Sequence, residues 1–335
     1  MKGVQHPLLM AMKRAWSMPA LRTSRDRLVT ALEDEQSTQA DLVAAVESDV
    51  GLVAGLLRQA NKEPRAKIAT VADAIDSLGP AGMKRLVNGM DTYDFFERLA
   101  RWRLPPERFR LHALAVALIA DLIAREVGHP RRDELVVAAL LHDVGKVVMA
   151  AAYPDYAQQT LDSERTADQR ARLERDQHGV DHSLIGGVVL RRWRLPKAIA
   201  EVVERHHDPD ATGGAGILRL ADMLAHHERG AATRPADLEQ AAAGLGVSGS
   251  KLRALVYHLP DRGEAGARSL TDSPLSGQER EVIRGLAASK LYKEIARDLD
   301  IAPSTVRSHM HNAYPKLGAT GRAQAVLVAT RRGWL

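Results

Sequence analysis

The sequence predicts an all-α protein in two parts, a large helical domain followed by a small four-helix domain. Three observations carry that prediction. Apolar residues recur at helical spacing almost without interruption from residue 25 to residue 229. Aromatic residues make up 4% of the 335 residues and no alternating run of β-branched residues persists, so strand signals are nearly absent. Pro19, Pro64, Pro130, Pro154 and Pro196 fall between the periodic segments or at first helical positions, where the missing N–H has no intrahelical role.

Taken in order, the periodicity predicts helices over 24–33, 38–48, 49–60, 70–78, 80–89, 91–101, 107–127, 132–150, 153–174, 181–193, 196–207 and 214–229. Two shorter amphipathic patterns follow, around Leu238–Leu245 and Leu252–Leu259, and the Gly-, Arg- and Ser-containing stretch from Asp261 to Ser273 reads as a linker. The expected organisation is therefore a domain over 15–230, a helical extension over 231–260, a linker over 261–273 and a second domain over 274–335. The pentapeptide Arg-Trp-Arg-Leu-Pro occurs at 101–105 and again at 192–196, but its flanks do not match and it is no internal repeat.

Composition narrows the function classes. The chain has no cysteine, which removes disulfides, thiolate metal sites and cysteine nucleophiles. No run of eighteen or more apolar residues appears, residues 111–123 are interrupted by His112 and Asp121, and the first residues lack a signal-peptide core. The expectation is a soluble cytoplasmic protein that does not enter membranes. Lys and Arg number 47 against 42 Asp and Glu, and residues 273–335 hold ten basic and five acidic side chains, so the whole excess of +5 sits on the last segment. Such asymmetry favours a polyanionic partner.

That last segment is patterned as well as charged. Ser276 with Glu279 three residues later is a capping box, and Val282, Ile283, Leu286 and Ala287 form one apolar stripe. Ile295, Ala296 and Leu299 form a second, and Pro303-Ser304-Thr305 opens a third helix. On that third helix Val306, Met310, Ala313 and Leu317 point one way, while Ser304, Arg307, Ser308 and His311 recur at i, i+3, i+4, i+7 on the other. Hydroxyls, a guanidinium and an imidazole on one exposed face can donate to base edges and phosphates in a major groove.

With these residues the segment resembles the LuxR/GerE-type helix-turn-helix family. The match runs through Leu275-Ser276, Glu279 to Val282, Lys293 to Ala296, Leu299, Ile301, Thr305 to His309, Asn312, Lys316-Leu317-Gly318 and Arg322. The resemblance implies double-stranded DNA as partner, with Arg307, Ser308 and His311 in the groove and Thr305, His309 and Lys316 near phosphates. It also implies a homodimer with a contact around Ala325 to Ala329. Pro315 stands where the family usually has a basic or polar helical residue, and is expected to end the recognition helix early.

The large domain carries a different set of residues. His112 lies on one predicted helix, His142-Asp143 interrupt the apolar run ALLHDVGKVVM, His182 follows Asp181, His206-His207 end a helix and Asp222 lies in LRLADML. Imidazoles and carboxylates suit divalent transition metals, and an Asp in an apolar run needs a partner such as a histidine, Lys146 or an ion. His226-His227, His129 and His6 read as surface or hydrogen-bonded core histidines.

The order of these residues is similar to that of the HD metal-dependent phosphohydrolase superfamily, and more closely to its HDOD branch. Leu56 to Asn61, Ala74-Ile75, Leu78-Gly79, Leu140 to Lys146, His182 to Gly187, Trp193 to Pro196, Ile199, His206-His207 and Ala221-Asp222 carry the likeness over roughly 15–230. HDOD domains resemble HD hydrolases in fold but look like signalling or interaction modules. The resemblance therefore implies a non-catalytic, signal-responsive regulator of transcription, with a signalling protein or a nucleotide as candidate input. The alternative is a metal-dependent phosphohydrolase or phosphodiesterase with a DNA-binding output. Related HD-GYP phosphodiesterases place a glutamate where this chain has Arg108, and their Gly-Tyr-Pro loop is DPDATGGAG here.

Overall fold

The computed structural model describes residues 18–63, 67–93, 106–156, 165–228, 232–258, 273–287 and 292–317, together with Leu8, Ala11, Ala325 and Ala329. Among the described residues the regular elements are helices except for one two-residue parallel pairing, β1 (Ala20–Leu21) with β2 (Thr92–Tyr93). Two compact units divide the chain, Met1–Arg253 and Ala254–Leu335.

In the first unit α1 (Arg22–Glu33), α2 (Gln39–Glu47), α3 (Val50–Ala60) and α4 (Val71–Asn88) form one layer. Caps define their starts: Thr38 and Asp41 make a capping box on α2, and Asp49 accepts from Gly51 and Leu52 at the head of α3. Asp49 also accepts from the Leu21 N–H at 3.0 Å, which ties β1 to α3. Helix α4 bends at Gly79, whose φ of 60° is open only to glycine at little cost, just before Pro80. The two helices expected over 70–78 and 80–89 are the halves of this bent one.

A bundle follows. It contains α5 (Pro106–Glu126), α6 (Arg132–Leu141), α7 (Val144–Ala152), α8 (Ala167–His178), α9 (His182–Arg192), α10 (Lys197–Glu204) and α11 (Gly213–Glu228). Helix α5 packs on α6 and α11, α9 packs on α7 and α10, and α3 joins the first layer to α6. Val116, Ile119, Ile123, Leu140, Leu141, Val148, Leu190, Leu218 and Leu224 fill the bundle core. Helices α12 (Pro235–Gly244) and α13 (Gly249–His258) follow, with α12 packed on α11.

Three expectations change here. The helix expected over 132–150 breaks at His142-Asp143 into α6 and α7, because Asp143 leaves helical geometry to bring its carboxylate inward. The segment expected as helix over 91–101 begins as β2, with residues 94–101 outside the described set. The helix expected over 153–174 is α8, which starts only at Ala167 behind a Thr166–Gln169 capping box. Residues Arg132–Ala152 are long and apolar enough to cross a membrane by hydropathy, but they are the broken pair α6–α7 and mostly buried in the bundle.

Helices meet backbone to backbone around the break. A Cβ on Gly145 would lie 1.9 Å from the His182 carbonyl oxygen and 2.7 Å from the Gly186 nitrogen. Only glycine lets α7 and α9 cross this closely.

The second unit contains α14 (Gly277–Ala287), α15 (Tyr292–Asp298) and α16 (Pro303–Leu317). Leu275, Val282, Ile283, Leu286, Ile295, Ala296, Val306, Met310, Ala313, Leu317, Ala325 and Ala329 make its core. Asp300, at φ 52°, turns the chain between α15 and α16, a conformation Asp tolerates better than most residues. One expectation is corrected. Helix α16 continues through Pro315 to Leu317, because a proline in the last turn removes one hydrogen bond while burial of Leu317 holds the turn in place. Ala325 and Ala329 are fully buried in the unit's own core, and residues 326–328 of the expected dimer contact lie outside the described residues.

Candidate functional site

The seven residues selected from the sequence order in the first unit come together. His112 projects from α5, His142 and Asp143 from the α6–α7 break, His182 from the first turn of α9, His206 and His207 from the end of α10, and Asp222 from α11. All seven are at most 6% exposed. Their ligand atoms form three overlapping groups, each within 4.8 Å: His112, His142 and Asp222; His142, Asp143 and His206; His182, His206 and His207.

Outer hydrogen bonds fix the direction of four of the rings. Nδ1–H donates to the Ala139 carbonyl from His142 (2.7 Å), to the Val203 carbonyl from His206 (2.6 Å), to Glu174 from His182 (2.7 Å) and to Asp168 from His207 (3.1 Å). Each bond leaves the Nε2 lone pair facing inward, the arrangement that metal-ligating histidines use. Inside, Asp143 Oδ1 lies 3.4 Å from both His142 Nε2 and His182 Nε2, and Asp222 Oδ1 lies 2.9 Å from His112 Nε2. Lys146 Nζ holds the other Asp143 oxygen at 2.6 Å.

The electrostatics follow from burial among like and unlike charges. Burial opposes ionisation of Asp143, but His142, Lys146, His182 and His112 outweigh it and hold the carboxyl well below its usual range. For Asp222 burial is again outweighed, by His226, His112 and His142. Burial pushes His112 down to about 4 and holds His206 well below the usual imidazole range, with neighbouring histidines adding to the effect on His206. Burial also lowers His182 against the pull of Glu174, whereas at His142 the adjacent Asp143 and Asp222 overcome burial and raise it.

These groups fit a divalent transition metal. His112 Nε2, His142 Nε2, His206 Nε2, Asp143 Oδ1 and Asp222 Oδ1 are buried without a hydrogen-bond partner and converge on one region. The Nε2 atoms of His182 and His207 are 3.0 Å apart, with both Nδ1–H groups already donating to carboxylates. Two lone pairs facing at that distance repel unless a cation or a proton lies between them.

Three site residues were missed from sequence. His226, read as lying outside the site, has Nε2 3.4 Å from Asp222 Oδ1 and its ring 4.6 Å from that of His112, while His227 is exposed as expected. The signal was available, since residues 222 and 226 share a face one turn apart. Glu174 and Asp168 orient His182 and His207 from α8, a helix so polar that its acids read as a solvated face. Burial of Glu174 is offset by His182, which brings its carboxyl down to about 2.

The second unit presents a surface instead. Ser304, Ser308 and His311 are exposed on α16, Thr305, Arg307 and His309 are half-buried, and Val306, Met310, Ala313 and Leu317 face the core. Ser308 Oγ donates back to the Ser304 carbonyl at 3.1 Å. The capping box forms, with Ser276 N–H donating to Glu279 at 2.7 Å and Glu279 N–H to Ser276 Oγ at 3.2 Å. Lys316 Nζ is committed to both Glu279 oxygens at 2.8 Å, so the ammonium assigned to phosphate pins α16 to α14.

Comparison with known proteins places both units. The family model of the HDOD domain matches residues 18–209. This chain belongs to the HDOD family. The model of bacterial regulatory proteins of the luxR family matches residues 273–329, and the chain carries that helix-turn-helix domain C-terminal to its HDOD domain. Spore germination protein GerE of Bacillus subtilis (strain 168) is 49% identical over 61 residues, 18% of this chain and 82% of GerE. An uncharacterized protein of Treponema pallidum (strain Nichols) is 24% identical over 203 residues, 57% of this chain and 38% of that protein. This chain thus spans well under half the length of that relative. The crystal structure of the MmoQ response regulator from Methylococcus capsulatus str. Bath is similar with a TM-score of 0.57 and 25% identity, covering 72% of this chain and 98% of that one.

Proposed function

We propose that this chain is a cytoplasmic, DNA-binding transcriptional regulator in which a non-catalytic HDOD unit, built around a metal centre, controls a LuxR-type helix-turn-helix that binds DNA as a dimer. The exposed face of α16 carries this reading. Ser304, Ser308 and His311, flanked by Thr305, Arg307 and His309, stand over a fully packed apolar stripe in a unit that matches the luxR family. One such helix reads too few bases for useful specificity, and two would meet half-sites about 10 bp apart. Footprinting of the full chain across genomic fragments at moderate ionic strength is expected to show preferential occupancy of paired half-sites. Uniform weak binding to all fragments would overturn the reading.

The metal would be held by His112, His142, Asp143, His182, His206, His207 and Asp222, with Glu174 and Asp168 setting the rings. A divalent ion there would supply Lewis acidity, and its ligands are at most 6% exposed. The second reading, a phosphohydrolase, rests on Asp143, whose Oδ1 is equidistant from His142 and His182 and suits a shared ligand between two ions. Hydrolysis of a cyclic dinucleotide or nucleoside phosphate that disappears in Asp143→Ala would establish the second reading over the first.

A further inference from the structure

Two sequence motifs of the first unit, Leu56 to Asn61 and Trp193 to Pro196, take no part in the metal centre, yet the fold brings them to one cavity. Arg58 reaches it from α3, and Trp193 stands just past the end of α9, eleven residues and so about 16 Å along the helix from His182. Met18, Gly55, Met90 and Asp91 complete the walls of a cavity of about 120 Å³. At roughly 10–15 Å³ per water, that space suits a ligand of about ten non-hydrogen atoms.

Arg58 is half-buried, and no hydrogen bond or ion pair to its guanidinium forms among the described residues. Burial lowers its pKa with no carboxylate pulling the other way, which is the signature of a charge without a counterion. The turn that carries Trp193 is held at some conformational cost. Arg194 sits at φ 62°, a left-handed conformation disfavoured for a non-glycine residue. The Leu195 N–H bonds the Leu190 carbonyl at 3.0 Å, and the Arg194 guanidinium donates to the Lys62 carbonyl just beyond α3. This turn therefore fastens the end of α9 to the end of α3 and seats Trp193, 5% exposed, in the lining that also holds Arg58.

We propose that this cavity binds a small monocarboxylate, its carboxylate paired with Arg58 and its apolar body against Met18, Met90 and Trp193. A planar guanidinium matches a carboxylate in a two-point contact. An organic body can contact Met18, Met90 and Trp193, which a bare inorganic anion cannot. The site is separate from the metal centre and does not depend on the reading of the chain as a DNA-binding regulator.

Calorimetry or saturation-transfer NMR on the full chain with benzoate, phenyl phosphate and uncharged benzamide tests this directly. Benzoate is expected to bind at least about tenfold more tightly than benzamide or phenyl phosphate. Arg58→Met should bring benzoate down to the benzamide level while leaving the thermal midpoint unchanged or higher, since it removes an unpaired desolvated charge. Arg58→Gln, a polar replacement, should show the same loss of benzoate binding. Saturable benzoate binding that survives in both variants places the anion elsewhere and overturns the proposal. So does an absence of benzoate binding to the unmodified chain up to about 10 mM, or tighter binding of phenyl phosphate.

Discussion

The HDOD unit buries its chemistry and the helix-turn-helix unit displays it. In the first, seven ligand-type side chains on five elements point into one interior volume, and six of their buried polar atoms have no hydrogen-bond partner. In the second, the chemically capable residues lie on one exposed helix face while every core position of α16 is apolar. An unsatisfied polar atom in the interior is costly unless something joins it, whereas a hydroxyl in solvent is satisfied whether or not DNA arrives. A cation joining the buried site would therefore add to stability, whereas DNA on the exposed face would not.

The largest expected effect tests that difference. Purified protein should hold stoichiometric transition metal, and a chelator should lower its thermal stability by about 4 kcal/mol for an ion present at a thousand times its dissociation constant. His142→Ala should abolish both the metal and the chelator response. If elemental analysis of the unmodified protein finds no stoichiometric transition metal, the contrast between the two units fails.

The exposed face should behave in the opposite way. Arg307→Ala should leave thermal stability nearly unchanged yet weaken operator binding by about 1–3 kcal/mol, through loss of a two-point base contact. An unaltered base preference in a binding-site selection with this variant would remove Arg307 from the reading face.

A carboxylate that belongs to neither site sharpens what burial alone does. Burial, with Asp133 and Asp121 nearby, pushes Glu47 up to about 7. Its folded pKa thus lies above the unfolded value, so the unfolded chain releases this proton first as pH rises. Stability is expected to fall from about pH 4.5 to about pH 7 and then level off. Glu47→Gln should stabilise the protein by roughly 2 kcal/mol at pH 8, discounted for partial exposure, and by nothing near pH 4. Equal stabilisation at both pH values in denaturant titrations would show that charge is not the cause.

The smallest effect lies where the two kinds of chemistry meet. Lys316→Ala leaves the buried Glu279 without its cation and should destabilise the second unit by about 1 kcal/mol. Were Lys316 instead to serve phosphates alone, the same variant would flatten the salt dependence of DNA binding and leave unfolding untouched.

The sequence made the exposed face easier to read than the buried one. Helical periodicity sorts α16 into two faces directly, because the residue types on each side differ. The buried cluster of histidines and aspartates was legible from their order, but its supports were not. Glu174 and Asp168 sit among the charged residues of α8 and reach the site only through the packing of α8 on α9 and α11. The turn at His142-Asp143 was invisible for the opposite reason, since apolar residues on both sides mask the change of direction. The Lys316–Glu279 pair spans 37 residues and no local pattern announces it. Pro315 lies in the last turn of α16, where the helix-breaking effect of proline loses most of its force.

The crossing of α7 and α9 at Gly145 makes the spacing between Asp143 and His182 a property of two main chains. A single methyl group added there would wedge the helices apart while every donor atom stayed in the gene. Loss of the centre during evolution thus has a route that a search for missing histidines or aspartates would overlook, and glycine at that position is the better marker of its retention.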